Sequence, residues 1–514
     1  YISGSSADNY TSVLYLTGVC VLLLALACFN YINIAIVSAA KRLKEIGVRK
    51  SIGATRKVVI IQFLSENIVI TFFALAIGLI LGMTFFIPGF EQLFTFSMDF
   101  RLTDVRLWIY LAAVLLFTSI ASGIYPALYI SKFQVVNILK GVVKFGHKNP
   151  LTKIFLSFQL ILACIFITSA VMFTQNTDYL GDRSWGYRQD ESLYAVVPDY
   201  AGYKKLHALM IQNPDVVSVS GSSHHLGKSH AKTVLHFPSR QYEVDQLAVD
   251  ANYFETMGLQ LTEGRVFKDH EGADKQAVVV NELLVRNMDW EDPLGQLFKI
   301  DSTQYEVIGV VKDFHSYSFN RPVSPTIFTV AENQDYRYLA LKVRPGAKLK
   351  TDKVLQAKWA EIFPEIPFEG GHQEDVWGFY FEEIGIHGLV WRILASIAVS
   401  LASLGLYGLI SINVAGRTKE FSIRKVLGAG SKSIASNIFN QYVILFAISL
   451  TIGVPISYLL IKWVISNAYV YHMPITFSGV IIAASILILV LLITVFTQIR
   501  KVLKSNAVNG LKVE

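Results

Sequence analysis

The sequence has few charged residues and few cysteines for its length. Charged residues make up 17% of the 514 residues and hydrophobic ones 53%, a balance too apolar for an ordinary soluble fold. The three cysteines, Cys20, Cys28 and Cys164, all fall within long apolar runs. A disulfide framework is therefore excluded, and the thiols are expected to pack inertly.

Two sequence motifs of common enzymes are also missing. No Gly-x-x-x-x-Gly-Lys-Ser/Thr loop occurs, so the chain has no usual cradle for nucleotide phosphates. No Gly-x-Ser-x-Gly nucleophile elbow occurs either. We expect no catalytic residue in this chain.

The apolar residues gather into seven runs, each long enough to cross a hydrocarbon core of about 30 Å as a helix. They predict an α-helical polytopic membrane protein. The runs are approximately 12–40, 68–86, 107–130, 154–173, 389–414, 442–465 and 477–496.

A charged block occurs twice. Lys44-Glu45-Ile46-Gly47-Val48-Arg49-Lys50-Ser51-Ile52-Gly53-Ala54 returns, 375 residues later, as Lys419-Glu420-Phe421-Ser422-Ile423-Arg424-Lys425-Val426-Leu427-Gly428-Ala429. Each copy lies between two apolar runs, so the sequence predicts a duplicated membrane module with a charged elbow. At the same offset Gly78 matches Gly453 and Gly82 matches Ser457, which predicts a small-residue face for helix packing in each copy.

Basic residues concentrate in alternate short loops. Four clusters, at 41–57, 132–153, 417–432 and from Arg500 onward, hold many Lys and Arg residues and few acids. Since Lys and Arg near membrane ends favour the cytoplasm, all four are expected there. Seven crossings then place the segment 176–388 outside.

The segment 176–388 is the main polar part of the chain. Its short β-rich runs alternate with helical stretches, which predicts an inserted α+β domain. Its acids outnumber its bases by ten, although the whole chain carries +7. The positive charge therefore flanks the membrane, where anionic lipids account for it, and no nucleic-acid partner is expected.

The repeat also predicts the domain limits. The second half of the repeat has a helix and an external domain before its last three helices, whereas the first half shows only the last three, so residues 1–11 are interpreted as the end of a missing first external domain. Residues 12–140 are expected to form the first membrane module with three transmembrane helices, and 141–175 a cytoplasmic linker and the fourth helix. Residues 176–388 form the external domain and 389–514 the second module with three transmembrane helices.

The elbow, together with Phe63-Leu64-Ser65-Glu66, resembles the FtsX-like permease module of MacB/LolC/FtsX-type ABC transporters. The segments Val249-Asp250-Ala251-Asn252-Tyr253-Phe254 and Gly309-Val310-Val311-Lys312-Asp313-Phe314 are similar to a MacB-like periplasmic core domain. Two modules in one chain resemble large permeases of Bacteroidota.

The resemblance implies a permease subunit in the bacterial inner membrane that transmits motion to its periplasmic domains in efflux, lipoprotein or peptide handling. ATP and Mg would bind a separate cytoplasmic ATPase, a dimer, and not this chain. A periplasmic or outer-membrane protein would be a further partner. An envelope sensor or scaffold that regulates a periplasmic partner without transport is the alternative.

The elbows are the expected ATPase-coupling sites. Their residues are Lys44, Glu45, Arg49, Lys50 and Gly53, and Lys419, Glu420, Arg424, Lys425 and Gly428. Glu45 and Arg49 are four apart and could pair on one helix face. The alternative is that these charges only fix topology, but both copies also keep Glu, Gly and Ala in register.

Two other residue groups could suggest chemistry. His224, His225 and His230 have no accompanying cysteine and fit no standard spacing of metal ligands, so no metal site is expected. Asp313, His315 and Ser316 could suggest a hydrolase, but the resemblance accounts for Asp313 as part of a strand end and loop.

Overall fold

The computed structural model describes residues 6–94, 101–131, 150–238, 240–268, 274–332, 335–416, 420, 423 and 431–504. The chain forms two compact units. The helical unit comprises the described parts of Tyr1–Gln175, Gly385–Ile465 and Pro474–Glu514, and the sheet unit comprises Asn176–Ile384 and Ser466–Met473.

Within the described residues, seven helices are long and apolar enough to cross a membrane, which confirms the predicted polytopic class. Many large apolar side chains on them are exposed, as expected for helices surrounded by lipid. The spans are Thr17–Ile36, Arg56–Gln92, Val105–Leu128, Lys153–Gly181, Gln373–Ser411, Tyr442–Asn467 and Ser478–Thr497.

The helices of the first module lie before the main polar segment. The short helix α2 joins two long ones, and a π-helical turn at Gly82–Phe86 lengthens α3. The bounds are α1 Ser6–Lys41, α2 Leu43–Ser51, α3 Arg56–Leu81, α4 Ile87–Phe94 and α5 Val105–Ser131.

Helix α6 (Pro150–Gly181) is the most buried span of the helical unit. Three helices of the second module share a core with it: α11 (Gly378–Gly416), α12 (Ser431–Ala468) and α13 (Ser478–Lys504). The ring of Phe173 on α6 stacks on Trp391 of α11 at 5.1 Å between centroids. The second module is therefore built around α6.

Eleven strands are described in the sheet unit, and six of them close on themselves. The pairing runs β4–β3–β7–β8–β6–β9 and returns to β4 through a parallel β4–β9 ladder. Strands β11–β1–β10–β2 extend from β4 as an open sheet, and β5 pairs with β8. The bounds are β1 Ser192–Val196, β2 Val216–Ser222, β3 Ala231–His236, β4 Gln241–Val249, β5 Leu261–Gly264, β6 Ala277–Asn281, β7 Leu297–Ile300, β8 Thr303–Val311, β9 Thr326–Val330, β10 Tyr338–Val343 and β11 Gly370–His372.

Each part of this sheet has its own core. In the closed ring, alternate residues such as Leu235, Val278 and Ile327 are buried together. Helices α7 (Tyr200–Met210) and α10 (Lys348–Ile362) share a second core with the open sheet. Helices α8 (Tyr253–Met257) and α9 (Glu282–Met288) complete the unit, and Asn281 caps α9. The predicted inserted α+β domain is confirmed.

Candidate functional site

Helix α2 is the first elbow, and it ends in a glycine turn. Gly53 has φ +106°, a region that favours glycine. Its N–H donates to the Lys50 carbonyl, and the Ala54 N–H donates to the Arg49 carbonyl at 3.0 Å. This pair of backbone hydrogen bonds defines a Schellman turn, which satisfies carbonyl groups that have no partner within the helix.

The charged residues of the elbow form a network. Arg49 donates to Glu45 at 2.7 Å along the helix and to Gln62 of α3 at 2.9 Å. Arg42 donates to Glu66 of α3 at 2.8 Å. The hydrogen bond from Arg42 to Glu66 raises the pKa of Arg42, so the cation stays charged. The network ties α2 to the beginning of α3.

Lys50 ties the elbow to a third helix. Its Nζ donates to the carbonyl oxygen of Ser131 at the end of α5 at 2.8 Å, and its partial burial lowers the pKa of Lys50. Ile46 of α2 packs against Val59 and Phe63 of α3. A push on α2 can therefore pass to α3 and α5 together.

The outer side of the elbow carries apolar residues. Ile52 is 81% exposed and Val48 is 48% exposed. At the offset of 375 they match Leu427 and Ile423, and Ile423 is also exposed. From the sequence, the charged residues of the elbow were identified, and Val48 and Ile52 were missed. Their apolar character recurs in the second copy, and this recurrence could have indicated a shared binding surface. Exposed apolar residues beside fixed charges suit a protein partner.

The second elbow is described only in part. Lys419, Arg424, Lys425 and Gly428 lie outside the described residues, while Glu420 is described and half-buried. The copies also differ, because Arg42 matches Arg417 but Glu66 matches Gln441. The Arg42–Glu66 ion pair thus has no charged counterpart at that offset. For Lys44 only the helical backbone is described.

The small-residue faces differ between the modules. A Cβ added at Gly453 would lie 3.3 Å from the Ile161 Cα of α6, and the Ser457 hydroxyl lies 3.6 Å from the Cys164 sulfur. At Gly78 and Gly82, by contrast, nothing among the described residues lies within 4 Å of such a Cβ. The second face packs on α6, whereas the first borders a cavity of about 250 Å³ beside Leu111 of α5.

The segment Ser466–Met473, which joins α12 to α13, is a second candidate site. The Tyr471 hydroxyl accepts a hydrogen bond from the Val323 N–H at 3.0 Å, and the Arg183 guanidinium lies 4.3 Å from the Tyr471 ring centroid. The Met473 N–H donates to Asn176 at 3.0 Å. Burial raises the pKa of Tyr469 to about 12. The segment is thus built into the sheet unit, which sequence reasoning missed.

The histidines serve packing. His225 lies between Gln373 and Tyr253, with ring-nitrogen distances of 2.8 and 3.1 Å to their side-chain oxygens, and burial lowers its pKa to about 4. The Ala248 N–H donates to His224, and His230 bonds to Tyr317. Within the described ranges, no group of three or more His, Cys, Asp and Glu residues is placed to hold a metal ion.

Asp313 is fully engaged by its neighbours. It accepts hydrogen bonds from the Leu283 N–H, from Asn281 and from Arg286. His315 packs against Phe319 and Tyr471, and burial lowers its pKa to about 4. The geometry gives Asp313 a role in fixing the start of α9.

Several known proteins resemble parts of the chain. It is 32% identical over 137 residues to the uncharacterized ABC transporter permease YvrN of Bacillus subtilis (strain 168), covering 26% of this chain and 31% of the relative. It is 22% identical over 219 residues to the permease YknZ of the same organism, covering 41% and 55%. The macrolide export ATP-binding/permease protein MacB of Neisseria gonorrhoeae matches at 22% over 219 residues, covering 41% and 34%.

The chain thus spans between about a third and about a half of the length of these relatives. A crystal structure of the periplasmic region of MacB from Actinobacillus actinomycetemcomitans aligns with 39% of this chain and 97% of its own. The TM-score is 0.31 and the identity 14%.

Two family models match most of the chain between them. The model described as FtsX-like permease C-terminal matches residues 17–135 and again 392–507. The model described as MacB-like periplasmic core domain matches residues 160–353. The duplicated module and the inserted domain agree with the resemblance in the sequence. The chain belongs to the FtsX-like permease family, with its permease module present twice and a MacB-like periplasmic core domain between the copies.

Proposed function

We propose that this chain is the transmembrane subunit of an ABC transporter in the bacterial inner membrane. A separate cytoplasmic ATPase dimer, which binds ATP and Mg, docks on the elbows and drives a change of shape in the sheet unit. This change of shape in the sheet unit serves efflux or the handling of lipoproteins or peptides. The chain itself transmits motion.

The observation that carries this proposal is the position of Ser466–Met473. The segment joins two candidate membrane spans, yet it belongs to the sheet unit. Tyr471 and Met473 form hydrogen bonds with two residues of the main domain sequence, Val323 in its interior and Asn176 at its start. Movement of α12 or α13 would therefore pull on the sheet unit directly.

Continuous helices support the same proposal. Helix α6 continues past residue 175, the last residue of the first chain segment of the helical unit. Helix α11 begins in the sheet unit and continues past residue 385, where the chain returns to the helical unit. Helix α12 likewise extends past residue 465. Helices that run along the chain from one unit into the other are candidates to act as levers.

The first elbow supports docking for a different reason. Its helix is fixed to α3 and α5 by the Arg42, Arg49 and Lys50 bonds, while Val48 and Ile52 face outward. A rigid helix with exposed apolar and charged residues can receive a push and pass it on.

A charge exchange at the elbow tests the docking. Glu45→Arg combined with Arg49→Glu keeps opposite charges four residues apart but reverses their order. Because exposed pairs contribute less than about 1 kcal/mol, the fold should persist. We expect loss of ATPase stimulation when the purified chain in nanodiscs is mixed with its co-purifying ATPase.

The matched control is the exposed pair Lys232 and Glu243 of the sheet unit, exchanged in the same way. It should leave ATPase stimulation unchanged. Unchanged stimulation in the elbow variant as well would return the elbow charges to a topological role. If no ATPase co-purifies with the chain, the sensor or scaffold function replaces the proposal.

A further inference from the structure

A polar cavity of about 620 Å³ lies within the sheet unit. It is formed where the chain after α6 meets the segments that follow α8 and β8. Residues from each contribute, including Arg183, Arg188, Gly258, Lys312 and His315. Its volume is in the range of small-molecule sites.

The lining of the cavity has an excess of positive charge. Arg183, Arg188 and Lys312 are cationic, and none of them pairs with a carboxylate among the described residues. The acidic lining residue is Asp313, which is already neutralised by Arg286. His315 is neutral at pH 7, since burial and then Arg183 lower its pKa to about 4.

Two of these cations also carry buried N–H groups without an acceptor. The Arg183 Nε and the Arg188 Nη1 are buried and make no hydrogen bond within the described part of the chain. Leaving a buried charged donor unsatisfied is costly, so such groups normally meet an acceptor. The protein therefore leaves the guanidinium groups of these two lining residues only partly satisfied.

The backbone holds the cations in place. The Arg188 N–H donates to the Met257 carbonyl at 2.7 Å, and the Lys312 N–H donates to the Gln260 carbonyl at 2.8 Å. Gly258 has φ +66°, and a Cβ there would lie 3.3 Å from the Arg188 Cζ. Glycine at this position therefore gives the guanidinium room. The site is built before any ligand arrives.

We propose that this cavity binds the phosphate group of an anionic phosphoester. Planar guanidinium groups donate pairs of hydrogen bonds that fit phosphate oxygens, and a lysine adds a point charge. The space beyond one phosphate accommodates a polar alcohol such as glycerol.

Two sources could supply this group: a soluble phosphoester or the headgroup of an anionic phospholipid. Arg183 is two residues beyond Gly181, the last residue of a candidate membrane span. A headgroup source requires that this end of the span lies at the membrane surface. The Arg183 guanidinium also covers Tyr471, so ligand binding would act on the segment that joins α12 to α13.

The test uses the purified full chain in detergent. Glycerol 3-phosphate is titrated by calorimetry, and dihexanoyl phosphatidylglycerol is added for native mass spectrometry. We expect at least one probe to bind. Arg188→Gln and Lys312→Gln should each weaken that binding roughly tenfold or more, because each removes a charge-assisted hydrogen bond.

Lys353→Gln is the matched control, because it removes an exposed cation of the same unit outside the cavity. It should leave binding unchanged, and Lys312→Arg should retain binding. Loss of glycerol 3-phosphate binding in the cavity variants indicates a soluble source, and loss of lipid adducts alone indicates a headgroup. Absence of binding by either probe, or equal weakening in Lys353→Gln, would overturn the proposal.

Discussion

The buried residue His225 is expected to couple the stability of the sheet unit to pH. It is fully buried, and its ring nitrogens face Gln373 and Tyr253, with Tyr194 and Tyr338 against the ring. Burial first, and then Lys228, lower its pKa to about 4. The native state therefore resists a proton that the unfolded chain takes up near pH 6.5.

We predict that His225→Gln makes stability less dependent on pH. Above about pH 6.5, His225 is neutral in both the native and the unfolded state and does not make stability depend on pH. Below that pH, the unfolded state binds a proton that the native state does not. This lowers the free energy of unfolding by about 3 kcal/mol at pH 4. Urea unfolding of the full chain and of the variant at pH 7.5 and pH 4 measures this difference. An equal loss of stability in both proteins on acidification would contradict this account.

At the scale of elements, the two small-residue faces provide a matched pair. Gly453 lies against the backbone of α6, while nothing within the described residues contacts a Cβ at Gly78. Close approach of two helices needs a small residue at the contact. The same glycine position in the repeat thus has different surroundings in the two modules.

We predict that Gly453→Leu destabilises the helical unit and that Gly78→Leu does not. The larger side chain would push α12 away from α6, at a cost of about 1–3 kcal/mol. At Gly78 the substitution meets open space, and leucine favours a helix more than glycine does. Thermal unfolding in detergent compares them. Equal losses of thermal stability in both variants would show that the contact of Gly453 with α6 does not determine the effect.

Part of the helical architecture followed from the sequence. Length and apolar composition predicted the seven spans, because a membrane helix is recognised locally. The four-residue spacing of Glu45 and Arg49 anticipated their ion pair. These features depend on neighbours in sequence.

Long-range partners could not be predicted in the same way. The bond from Arg42 to Glu66 joins residues on different helices, and Arg183 meets Tyr471 from far along the chain. No periodicity indicates such contacts. The closed ring of strands likewise depends on the β4–β9 ladder, whose strands are distant in sequence. The place of Ser466–Met473 in the sheet unit and the cationic cavity were therefore found only in the structure.

For the whole molecule, the central claim is that motion passes from the helices to the sheet unit. Helices α6, α11 and α12 continue into that unit, and Ser466–Met473 is held there by Tyr471. Two sites couple energetically only if both bias the same structural change. Tyr471→Ala should weaken the coupling, whereas Tyr471→Phe keeps the ring contacts with Arg183 and His315.

The most direct test measures distances in the complex with the ATPase. Spin labels replace Lys353 in the sheet unit and Asp104 in the first module, after the three cysteines are exchanged for serine. With a hydrolysis-deficient ATPase, the account predicts that ATP shifts the distance distribution between the labels. The shift should persist in Tyr471→Phe and shrink in Tyr471→Ala. A distance that stays fixed on ATP binding, while substrate still crosses the bilayer between the helices, would contradict mechanotransmission.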